Sequence, residues 1–104
     1  MDNTYVYEGA DLKLDISIES VNSLTMDDYD FEVELYCDKY KRLKLSKSQL
    51  KRIDSNNYLA KIVNTENLGK GVLKCRIIAK IPDGDFNTGE RVEVVEIITK
   101  INII

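Results

Sequence analysis

The residues best spaced for chemistry lie in one loop. In Pro82-Asp83-Gly84-Asp85-Phe86-Asn87-Thr88-Gly89-Glu90, the residues Asp83, Asp85 and Asn87 stand at alternate positions. That is the spacing of the first three oxygen ligands of a calcium loop, and an oxygen-rich loop suits a hard cation. The pattern then departs. Thr88 stands where the loop glycine belongs, and Val94 where the closing glutamate belongs, with Glu93 one place early. The competing reading is a turn between two strands, with Asp and Gly present for the backbone. Phe86 is then an anchor for the loop on the end of the fold and a candidate contact residue.

Other candidates carry less. Asp27, Asp28 and Asp30 form a short acidic cluster expected to face solvent. A carboxylate pair for glycoside hydrolysis has almost no weight, because eighteen acids on so small a chain put many pairs close together. The absences decide more. The chain has no histidine, and so lacks the commonest general base and the commonest transition-metal ligand. Its two cysteines, Cys37 and Cys75, cannot by themselves complete a structural zinc site. They are expected to be reduced, buried thiols, with a disulfide across the sheets as the alternative. The expectation is a protein that is not an enzyme and takes no cofactor.

Charge is distributed unevenly. Residues 1–38 hold eleven acids and one base; residues 39–53 hold seven bases and no acid; residues 54–104 balance. The basic block comprises Lys39, Lys41, Arg42, Lys44, Lys47, Lys51 and Arg52. Such a block is a phosphate-binding signature in one reading. In the other it is half of a salt-bridged hairpin. With Val33 opposite Leu43 and Phe31 opposite Leu45, Glu34 faces Arg42 and Glu32 faces Lys44, and opposite charges across strands attract. The hairpin reading prevails, because the net charge is −3 and no basic motif is interleaved with aromatic residues. No nucleic-acid partner is expected. Lys47, Lys51 and Arg52 remain as candidates for a protein contact, and so does Tyr36, whose place on the outer face of its strand suits an interface.

The elements that position these residues are strands. Leu12, Leu14, Ile16 and Ile18 alternate with polar residues, as do Phe31, Val33, Leu35 and Cys37. Period-two alternation marks a strand with one face buried and one wet. Shorter strands follow around Leu43–Leu45 and over Asn57–Val63, then long ones over Leu73–Ile81 and Arg91–Ile104, with Tyr5–Tyr7 as a short first strand. Pro82 ends the Leu73–Ile81 strand, since proline cannot donate to a ladder. Val21 to Asp30 reads as a loop, and Ser46 to Asp54 as a helical turn or an edge strand. A helical turn near 64–68 carries the chain between sheets, with Leu68 tucked beneath and Gly69 or Gly71 permitting a tight approach to the next strand. In the last run, Val92 and Val94 share one face while Val95, Ile97 and Ile101 share the other. A bulge near Val94-Val95 would bring both sets inward; the alternative is a strand buried on both faces.

These features predict an all-β chain, an immunoglobulin-like β-sandwich of about seven antiparallel strands forming a single domain over 1–104. No segment is apolar for long enough to span a bilayer as a helix, and no signal peptide is visible at the start. The expected setting is the cytoplasm at synthesis, with no membrane partner.

Three stretches also resemble a known group: Tyr29-Asp30-Phe31-Glu32-Val33-Glu34-Leu35-Tyr36; Leu68-Gly69-Lys70-Gly71-Val72-Leu73-Lys74-Cys75; and Ile81-Pro82-Asp83-Gly84-Asp85-Phe86 leading to Gly89-Glu90-Arg91-Val92-Glu93-Val94. Their order resembles small β-sandwich structural proteins encoded in prophages of gut anaerobes. It is similar, more distantly, to the amino-terminal domain of the phage baseplate upper protein. The resemblance implies a tail or baseplate component, virion-associated, whose partners are other structural proteins or further copies of itself, and it implies no catalytic residue. Antibody-type domains differ, since they carry a tyrosine where Leu73 stands. A cell-surface adhesion or carbohydrate-binding module on the same fold is the alternative.

Overall fold

A computed structural model describes residues 4–19, 23–38 and 40–104. The chain start through Asn3, Val21 of the expected loop and Lys39 of the basic block lie outside the described residues. The alternating segments form β1 (Thr4–Val6), β2 (Leu12–Ser17), β3 (Asp30–Tyr36), β4 (Arg42–Ser46), β5 (Lys51–Asp54), β6 (Asn57–Ile62), β7 (Gly71–Pro82) and β8 (Glu90–Ile103). They make two sheets, ordered β1-β8-β7-β3-β4 and β2-β6-β5. This is the immunoglobulin-like arrangement, in which the third, seventh and eighth strands form the centre of one sheet and the second, sixth and fifth form the other. The extra strand over the sequence expectation is β5. The uncertain stretch 46–54 is both things it was expected to be in turn: a 3-10 turn at Lys47–Gln49, then an edge strand.

The core lies between the sheets. Phe31, Val33 and Leu35 of β3 and Leu73, Cys75, Ile77, Ala79 and Ile81 of β7 face Ile16, Tyr58, Ala60 and Ile62 across it. Phe31 meets the Tyr58 ring edge-on at 5.3 Å between centroids, a favoured aromatic geometry. Short 3-10 turns plug the ends. Met26 and Leu68, one from each of two such turns, are fully buried. The turn at Thr65–Leu68 carries the chain from β6 to β7 and so between sheets. Gly69 and Gly71 follow it at φ +81° and +127°, where a Cβ would have room, lying 3.7 Å from Asp38 and 3.9 Å from Cys37. A side chain there would be strained by the backbone itself.

Two expectations are corrected. The β3–β4 register is displaced by two places, with Val33 opposite Leu45, Leu35 opposite Leu43 and Glu34 opposite Lys44. An even displacement keeps every side chain on its expected face, so alternation could not distinguish the two registers. Glu32 therefore faces Ser46 rather than Lys44. The irregularity in β8 is not at Val94-Val95. Pairing with β7 runs unbroken from Glu90 to Ile98, and the register shifts only between Val72 and Lys74, opposite residues 99–101. There the Thr99 hydroxyl donates to the Leu73 carbonyl at 2.7 Å and accepts from the Ile101 amide, filling the gap in the ladder. The two cysteines are unpaired, the first of the two expectations for them; Cys75 is buried and Cys37, one residue beyond β3, is half-buried. Both are thiols, and burial pushes Cys75 up to about 11.

Candidate functional site

The basic block and the acidic cluster explain each other. The turn at Met26–Asp28 presents Asp27 to the far sheet, where β5 brings Arg52 and β6 brings Tyr58. Arg52 grips the Asp27 carboxylate through Nε and Nη2 at 2.8–3.0 Å, and the Tyr58 hydroxyl donates to it at 2.5 Å. Charge-assisted, bidentate contacts of this kind are the strong ones. The Arg52 bond, then the Tyr58 bond, hold Asp27 at about 2. Burial, then the Asp27 charge, pushes the Tyr58 phenol to about 12. Lys47 donates to the backbone carbonyls of Asp27 and Tyr29 at 3.2 and 2.9 Å. Two of the candidate contact residues, Lys47 and Arg52, are thus committed inside the fold. Nothing in the linear sequence marks the Asp27–Arg52 pair, since its members lie 25 positions apart.

A second group covers the outer face of β3. Arg42 binds Glu34 at 2.8 Å, with Lys44 at 3.7 Å from the same carboxylate. The Arg42 guanidinium lies 4.1 Å from the centre of the Tyr36 ring, and the Lys74 ammonium 5.6 Å from it. Tyr36 is only 6% exposed as a result. Its ring is a platform for these cations rather than a surface offered outward. Of the candidates in the basic block, Lys51 alone stands exposed with no contact of this kind described.

In the 82–90 loop Asp83 is engaged within the chain. One oxygen of Asp83 accepts from the Asp85 amide at 3.0 Å and the other pairs with Arg91 at 2.8 Å, in that order lowering the Asp83 carboxyl. The Asp83 amide donates to the Gly89 carbonyl at 2.8 Å, closing the turn between β7 and β8. Phe86 remains half-exposed at the tip, at 51%. No group of three or more potential metal-ligating Cys, Asp or Glu residues forms among the described residues.

The largest unsatisfied feature is β8. Its inner face carries Arg91, Glu93, Val95 and Ile97, set opposite the buried Ile81, Ala79, Ile77 and Cys75; its outer face carries Val92, Val94, Glu96 and Ile98. The five aliphatic residues are 42–68% exposed. The strand is apolar on both faces, as its sequence shows, yet neither face is covered. The reason is topological. On one side β8 pairs with β7 throughout; on the other, β1 pairs with it only at Ile101–Ile103. Because β1 joins β8, it does not extend β2, and β2 is also an edge. Between the two open edges lies a groove of about 220 Å³, floored by Ile77, Ala79 and Ile81 and walled by Ile18, Val95 and Ile97. Tyr29 and Glu93 lie on its rim, and burial, then the Glu93 charge, raises the Tyr29 phenol. A volume this small is under the usual range for pockets that enclose drug-sized ligands. Its geometry is that of a seam continuous with a strand edge.

No helix among the described residues is long and apolar enough to cross a membrane. Comparison with known protein families, with curated proteins and with solved structures finds no match to this chain.

Proposed function

We propose that this chain is a non-catalytic assembly module acting through protein–protein contacts, and that the edge of β8 makes them. The observation that carries the reading is the edge itself: a long strand with branched apolar side chains exposed on both faces. Proteins ordinarily blunt such an edge with charges, proline or a bulge, because it templates pairing with another chain. Here the bulge lies at the far end, and Arg91 is drawn back onto Asp83 and Glu93. The principal acids support the reading from the other side. Asp27, Glu34 and Asp83 are each bound to a base, which suits a structural role for them. A tail or baseplate component of phage type, partnered by other structural proteins, is the setting that the resemblance suggests.

Co-expression with the products of the genes flanking its own tests the reading. The expected result is a complex, with one of them or with itself, that survives size exclusion and is lost in Val95→Lys. A chain that forms no complex, or one that the substitution leaves intact, overturns it. Specific retention on a glycan array would move the reading to a carbohydrate-binding module.

A further inference from the structure

We propose that the partner seated on the β8 edge is a second copy of this chain, paired antiparallel about a two-fold axis at Val95. The proposal rests on the assembly reading and adds the occupant and its register. The argument begins with length. The stretch of β8 without a strand partner on the edge away from β7, among the described residues, runs from Glu90 to Lys100, since Thr4 of β1 takes that edge from Ile101 onward. Its midpoint is Val95. A two-fold there sets residue against residue over the whole open stretch and stops where β1 begins.

Two acids, Glu93 and Glu96, lie opposite Ile97 and Val94 in that register, and the remaining side chains match. In an antiparallel pair, opposed residues share a face. Val95 meets its own copy on the inner face, and Val92 meets Ile98 on the outer. Glu90 meets Lys100 at both ends, an opposite-charge pair repeated by symmetry. Moving the axis one residue toward the carboxyl end sets Glu96 directly against its copy, and asks Ile101 to pair where Thr4 already does. Moving it one residue the other way sets Glu90, Arg91, Glu93 and Glu96 all against aliphatic residues and leaves Lys100 without its partner. The axis at Val95 alone combines full length with charge complementarity. Pairing there joins the two five-stranded sheets into one continuous sheet, and the copies' Val95 residues come together along the mouth of the groove, with an Ile97–Glu93 pair on either side.

Sedimentation equilibrium from micromolar to submillimolar concentration, with site-directed cysteine cross-linking, tests this. The wild-type chain is expected at twice its monomer mass. In a Cys37→Ser background, Val95→Cys is expected to form a disulfide-linked dimer on mild oxidation. Val94→Cys and Glu96→Cys are expected to link far less, since neither sits on the axis. A mixture of Val92→Cys and Ile98→Cys chains should yield the mixed dimer. Val95→Lys places two ammonium groups together at the axis and should weaken association about a hundredfold or more, with an unchanged circular dichroism spectrum. A strict monomer overturns the proposal, as does a dimer that links at 94 or 96 but not at 95. If the chain is monomeric yet Val95→Lys abolishes a complex with a flanking gene product, self-pairing fails and the assembly reading stands. If neither association exists, both fail.

Discussion

On the side of the sandwich where β4 crosses to β5, the exposed edges are charged. Arg42 and Lys44 stand on one strand, and Lys51, Arg52 and Asp54 on the other. Acids from the same chain answer several of those bases: Glu34 holds Arg42, and Asp27 holds Arg52. On the opposite side, where β8 lies over β2, the exposed residues are mostly valine and isoleucine, and nothing described in the chain covers them. The difference teaches which surface still has free energy to release. A paired, solvated charge gains little from a new partner. A half-exposed valine or isoleucine gains whenever it leaves water. Four bases of the block that looks like a binding site in the sequence, Arg42, Lys44, Lys47 and Arg52, are engaged within the chain, and the run that looks like core is the open surface.

That contrast can be broken or sharpened by substitution. The largest effect should come from the floor of the groove, which belongs to the fold. Ile77→Ala is expected to cost about 2–5 kcal/mol in denaturant unfolding, as for other truncations of buried isoleucine. The wall should behave differently: if Val95→Ala costs as much as Ile77→Ala, the edge is core and the comparison fails.

Next comes the committed side. Tyr58→Phe removes the hydroxyl that donates to the Asp27 carboxylate and should cost about 1–2 kcal/mol by chemical denaturation. Asp27→Asn should lower the melting temperature by a few degrees at neutral pH. The sign follows from linkage. The folded carboxyl titrates at about 2, below its ordinary value of 3.8, so its stabilisation is complete above that ordinary value and fades as pH falls through about 2. Melting curves of the two proteins should therefore converge in acid. A gap that persists unchanged below pH 2 would mean that the Asp27 charge is not what stabilises. The smallest effect is on the open edge. Val95→Lys should change stability by less than about 0.5 kcal/mol while abolishing association, because the folded monomer leaves that side chain half-exposed.

Much of the fold was legible residue by residue. Alternation at Leu12–Ile18, Phe31–Cys37 and Leu73–Ile81 marked which faces turn inward, and the structure buries those faces. Pro82 ended its strand for the reason expected, and Leu68 lies under the crossing that Gly69 and Gly71 make possible. The hairpin register was not legible, because a displacement by two leaves alternation untouched and only the length of the turn between the strands decides it. The bulge was misplaced for a related reason. The doubled apolar pattern of β8 suggests a bulge that turns both sets inward, or burial on both faces, when it belongs to a strand apolar on both sides and covered on neither. The candidate site fared in the same way. Lys47, Arg52 and Tyr36 stood out by type, and each is occupied by neighbours remote in sequence.

By itself, then, the sequence determined the strands, their inner faces, the all-β class and the want of histidine chemistry, since these depend on residue type and on spacing along one chain. The tertiary structure alone decided which charges cancel and which apolar residues stay wet. Those depend on which strands lie at the edges of the sheets. That choice was made when β1 joined β8 at Ile101–Ile103, which left β2 and the first eleven residues of β8 as facing open edges.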